Sequence, residues 1–125
     1  MVKTILAVAL GGSLGAVGRY LISDAIYAWL GRGFPWGTLF VNVSGSFIMG
    51  ILFQVFSERY AEHGVWRAAL LVGVLGAFTT FSSFSLETLQ LIQNGEFRLS
   101  LMNIAASVIL CLVGIWGGVV LVRTI

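Results

Sequence analysis

Seven Lys/Arg and five Asp/Glu cut this 125-residue chain into intervals whose lengths decide what it can fold into. Gly33 to Ser57 runs 25 residues without a charge and Leu99 to Val122 runs 24. As helices these reach about 37 Å, enough to cross a hydrocarbon core of about 30 Å with some tilt. Ala68 to Leu86 adds 19 uncharged residues, extended past Glu87 by Thr88-Leu89-Gln90-Leu91-Ile92. Thr4 to Gly18 is only 15 residues and spans a bilayer if the helix continues through Arg19 into Tyr20-Leu21-Ile22. The pattern predicts an all-α membrane protein of one domain, residues 1–125, with four transmembrane helices near 3–30, 34–58, 65–93 and 98–123. With 58% of residues hydrophobic and 10% charged, a soluble globule is excluded.

Four crossings put both termini on one side. The loop cations then orient the chain weakly: Lys3, Arg59, Arg67 and Arg123 face one side, Arg32 and Arg98 the other. Trp29, Phe34 and Trp36 flank the first loop, and Tyr60 and Trp66 the second, as interfacial aromatics do. A cleaved leader is the rival for the first segment, but the apolar pattern continues past Arg19 to Leu30, unlike a leader's end. The charges lie singly rather than in a patch, which excludes a nucleic-acid surface. Cys111 is the only cysteine, so neither an intramolecular disulfide nor a cysteine metal cluster is available. His63 reads as a solvated loop residue.

Polar groups inside a span are costly unless they find partners or line a wet path, so they mark where to look for function. Thr38, Asn42 and Ser46 fall at i, i+4 and i+8 of the second span; Asn103 and Ser107 repeat the spacing in the fourth, with Cys111 next. Gly114 and Gly118 give the fourth span a GxxxG face, and Gly11-Gly12-Ser13-Leu14-Gly15 gives the first span a small-residue face. Adhesion between helices explains such stripes as well as a pathway does. The third span is harder to read as adhesion. Gly73, Gly76 and the β-branched Thr79-Thr80 are poor helix interior, predicting a break within 76–80. Broken backbone at membrane depth must be buried in protein or bind something, and its carbonyls suit a cation such as Na⁺. Beyond it, Phe81 and Phe84 are i, i+3 among serines. Phenyl edges are electropositive, so rings turned edge-inward attract an anion without trapping it, although packing against lipid is the commoner use of such rings.

Three strings carry a resemblance: Gly11 to Tyr20 (GGSLGAVGRY), Gly37 to Phe47 (GTLFVNVSGSF) and Gly76 to Glu87 (GAFTTFSSFSLE). Together they resemble the Fluc fluoride channels, the CrcB family, over nearly the whole chain, TTFSSFS before Glu87 being the most specific part. The resemblance implies an antiparallel, dual-topology homodimer in the bacterial inner membrane, with a broken third helix, two fluoride pores and a central structural Na⁺. It implies that Phe81 and Phe84 are the pore rings and Asn42 the pore amide. Thr38, Ser82, Ser83 and Ser107 resemble a polar track, which Asn103 joins although some relatives carry tyrosine there. By the same resemblance Arg19 and Glu87 lie at an aqueous vestibule, and the carbonyls of Gly76 and Thr79, with Thr80 beside them, hold the sodium. The implied activity is passive, electrogenic export of fluoride that entered as neutral HF.

No nucleotide-binding loop, Ser/His/Asp set or metal-ligand cluster is present in the sequence, which argues against an enzyme. Two other readings remain. A proton-coupled small multidrug exporter also has four short spans, but needs a membrane carboxylate, and the first helix offers only Asp24 near its end. A passive four-helix assembly subunit would use the polar stripes as adhesive alone.

Overall fold

The structure, a computed structural model, describes residues Met1–Ile125. Four helical stretches are long and apolar enough to cross a membrane: Val2–Leu30, Trp36–Glu58, Gly64–Gln93 and Phe97–Thr124. The first helix closes on Gly31, whose N–H bonds the Tyr27 carbonyl at 2.9 Å. Gly31 and Gly95 have φ of 83° and 77°, left-handed values that favour glycine, and each turns the chain between two spans.

The third span is composite. Gly64–Arg67 is α-helical, Ala68–Leu75 widens into π-type hydrogen bonding, and Gly76–Phe78 returns to one short α-turn. Thr79 and Thr80 are extended, and a new α-helix runs from Phe81 to Gln93. The sequence placed the weak point from Gly76 onward; the residues that leave the helix are Thr79 and Thr80, and Gly76 stays helical. Gly76 lowers helical stability by only about 1 kcal/mol, whereas the Thr80 backbone finds partners outside the helix.

Two helix pairs build the frame. The first helix packs along the N-terminal half of the third span, and the second packs along the fourth. Lipid tails give apolar helices no hydrophobic reason to associate, so close backbone approach must supply the attraction. Glycines supply it here. A Cβ at Gly11 or Gly15 would collide with the Ala69 or Val74 carbonyl of the third span. One at Gly50 or Gly118 would strike the carbonyl of Ile115 or Phe47 across the second pair. The C-terminal half of the third span leans on the fourth helix and touches the second near the break. A hydrogen bond from Tyr27 to Glu87 links it to the first helix as well, and the polar residues gather around it.

Candidate functional site

The break is held by one side chain. Asn42 Nδ2 donates to the Thr80 carbonyl at 3.0 Å, and the Thr80 N–H donates to Asn42 Oδ1 at 2.7 Å. A side-chain amide thus pairs at two points with backbone that has left the helix, meeting the need for partners at membrane depth. Thr79 folds its own ends back, N–H and Oγ1 both donating to the Leu75 carbonyl at 3.0 and 2.9 Å. Because the Thr80 N–H goes to Asn42, it does not reach the Gly76 carbonyl, its partner in a continued helix. Thr80 Oγ1 then caps the new helix, accepting the Ser83 N–H at 3.1 Å. Gly45 lies under the Thr79 methyl and the Phe78 ring, where a side chain would strike both.

On one side of Thr80 lies a groove of about 340 Å³ lined by Asn42, Ser46, Thr79, Thr80, Phe81, Phe84 and Ser107, with Val108, Cys111 and Leu112 along the fourth helix. Phe81 and Phe84 stand 5.3 Å apart between ring centroids, tilted by 45°. Phe84 is 9% exposed and Phe81 78%, so one ring is set into the protein and the other projects from it. Asn42 has two amide hydrogens and gives one to Thr80, leaving one.

Behind the groove runs a second chain of bonds. Asn103 is 1% exposed, donates to Thr88 Oγ1 at 2.9 Å, and accepts a long bond of 3.4 Å from Ser107. Thr88 donates to the Phe84 carbonyl at 2.7 Å. These bonds tie the fourth helix to the half-helix that carries both rings.

On the other side of Thr80 lies a polar cleft of about 480 Å³, lined by Arg19, Ser23, Asp24, Tyr27, Arg32, Thr38, Ser83 and Glu87 among others. Glu87 is half-buried, and two hydroxyls donate to its Oε1: Thr38 at 2.8 Å and Tyr27 at 3.0 Å. Its Oε2 is sealed from solvent without a partner. Arg32 pairs with Asp24 at 2.9 Å in the open and lies 4.8 Å over the Tyr27 ring.

The residues singled out from sequence therefore fall into two compartments with Thr80 as the common wall. Asn42, Phe81, Phe84, Ser107 and Thr79 share the groove; Arg19, Thr38, Ser83 and Glu87 share the cleft. Ser82 is exposed at the break, its Oγ 3.2 Å from Thr80 Oγ1, and Asn103 is packed behind the groove. Tyr27 was not singled out. The signal was there: Arg19, Ser23 and Tyr27 stand at i, i+4 and i+8 of the first helix, a polar stripe on the face that lines the cleft.

Comparison with known proteins adds an independent finding. The profile of the family described as "CrcB-like protein, Camphor Resistance (CrcB)" matches residues 6–119. A Magnetococcus marinus protein named "Fluoride-specific ion channel FluC" is 57% identical over 118 residues, covering 94% of this chain and 96% of that protein. A Geobacter sulfurreducens protein of the same name is 48% identical over 120 residues, covering 96% and 97%. A third, from Methylococcus capsulatus, is 52% identical over 120 residues, 96% of this chain but 53% of its own longer length.

Proposed function

This chain belongs to the CrcB-like family, and from that membership we propose that it is a fluoride-selective channel, passing fluoride passively and electrogenically out of the cytoplasm across a bacterial inner membrane. The observation that carries the proposal is the groove, where three helices bring together one free amide hydrogen of Asn42, the hydroxyls of Ser46 and Ser107 and the rings of Phe81 and Phe84, with no formal charge among them. Fluoride is small and tightly hydrated, so stripping its water takes several donors in succession. Conduction also requires that no single donor hold it too long, which neutral amides, hydroxyls and ring edges satisfy better than Lys or Arg. Arg19, in the cleft across Thr80, raises the local anion concentration before dehydration begins.

The groove is open along its side, with Phe81 projecting from it. A second copy set antiparallel would close it, giving two pores per homodimer, and the near-balanced loop cations permit insertion in both orientations. The Gly76 carbonyl, deprived of its helical N–H, and the Thr79 carbonyl beside Thr80 are hard oxygen donors of the kind an alkali cation takes. They would hold a central Na⁺ between the copies, where it would steady the break.

The test is fluoride efflux from liposomes containing only this polypeptide. Fluoride should leave with its charge uncompensated, chloride should be retained, and no proton gradient should be needed. Chloride leak would remove selectivity; pH-driven uptake of a cationic drug would favour the exporter reading.

A further inference from the structure

Tyr27 lies outside the groove, yet it holds the most constrained charge in the protein. Its phenol and the Thr38 hydroxyl donate to the same oxygen, Glu87 Oε1, from two different helices. The other oxygen, Oε2, is shut off from solvent and has no partner. A buried acceptor left without a donor costs about 1–3 kcal/mol, so something must keep the carboxylate in this rotamer. The two O–H bonds do so. They also change what the carboxylate presents: Oε1 is covered by hydroxyls and Oε2 is turned out of reach of water.

Position makes this consequential. Tyr27, Arg32 and Glu87 line the polar cleft, and the same three line a second, outer cleft of about 260 Å³ against Gly33–Pro35, Gln90 and Asn94. The Tyr27–Glu87 bond therefore stands at the partition between a cleft at the first loop and the cleft that reaches Thr80 and Ser83. The Tyr27 ring lies close against Gly37, where even a methyl group would strike it.

We propose that Tyr27 is a positioning residue for Glu87, and that by keeping this carboxylate folded back under two hydroxyls it sets the rate at which an anion crosses between the two clefts. This rests on the fluoride-channel reading above. Without the phenol, Glu87 keeps one donor and is free to turn a bare negative charge into the passage, which repels the anion. The effect runs through the charge of Glu87, which separates it from a packing role for the ring.

The experiment is fluoride efflux from proteoliposomes of the full chain, comparing wild type, Tyr27→Phe and Tyr27→Phe with Glu87→Gln. Losing one such bond is expected to slow Tyr27→Phe by about three- to tenfold, and neutralising Glu87 in that background should restore the rate to within about twofold of wild type. Tyr27→Phe at the wild-type rate would overturn the proposal. So would a slow single variant whose double is equally slow, the signature of a structural role alone. A wild-type protein that passes no fluoride would instead sink the channel reading, and this inference with it. If Tyr27→Phe is recovered aggregated, Thr38→Val removes the other donor to the same oxygen and is read in the same way, alone and with Glu87→Gln.

Discussion

The groove and the cleft share Thr80 as a wall and differ in what they offer an ion. The cleft carries Arg19, Asp24, Arg32 and Glu87; the groove carries an amide, hydroxyls and two phenyl rings, with no ionisable side chain but Cys111. Formal charge is thus confined to the cleft, and the groove is left to neutral donors. The division follows from cost. On the channel reading proposed above, a fixed charge in the groove would be expensive to bury and would either trap the anion or turn it away, whereas a cation such as Arg19 in the cleft attracts it without entering the groove.

The harshest way to break this division is to put a charge into the groove. Asn42→Asp does so and also removes the donor to the Thr80 carbonyl; fluoride flux should fall by about a hundredfold or more, since a buried charge costs several kcal/mol. A faster channel would refute the assignment of Asn42 as a donor. Next, Phe81→Ile or Phe84→Ile removes a ring edge while keeping an apolar side chain, and flux should drop at least about tenfold with folding retained. Unchanged flux in both variants would take the rings out of the pathway. On the cleft side the effects should be milder and sensitive to salt. Arg19→Ala is expected to slow fluoride a few-fold at low ionic strength and much less at about 1 M salt, where the screening length shrinks to about 3 Å; an equal loss in both conditions would mean that Arg19 acts by contact rather than by field. Smallest of all, Asp24→Asn breaks an exposed ion pair with Arg32, and thermal stability should change by no more than about 0.5 kcal/mol.

How far the site was legible depended on how far apart its partners lie. The i, i+3 spacing put Phe81 and Phe84 on one side of a helix, and the two rings do stand together. By spacing Thr38, Asn42 and Ser46 share one face, yet Thr38 opens to the cleft while Asn42 and Ser46 open to the groove. At 3.6 residues per turn, eight residues rotate the stripe by about 80°, enough to carry its ends into different compartments when a wall stands between them. Asn103 shows a different limit. Its spacing from Ser107 was visible, but its bond to Thr88 on another helix buries it behind the rings. Tyr27 was missed because its partner Glu87 lies 60 residues away, and beside Trp29 a tyrosine near a helix end reads as an interfacial anchor.

The sequence by itself determined that four helical stretches are long and apolar enough to cross a membrane, because the cost of placing a charge in hydrocarbon is decided residue by residue along the chain. Glycines at 11, 15 and 118 could be read in advance as places where helices approach closely, though not against which neighbour, whereas the contact at Gly50 shows only in the structure. Only the tertiary structure decided which backbone groups leave the third span, which carboxylate oxygen is capped and which is sealed, and on which side of Thr80 each polar residue opens. Those outcomes depend on hydrogen bonds between helices distant in sequence. Such bonds form at about 3 Å or not at all, so they become knowable only once packing has fixed where the helices stand.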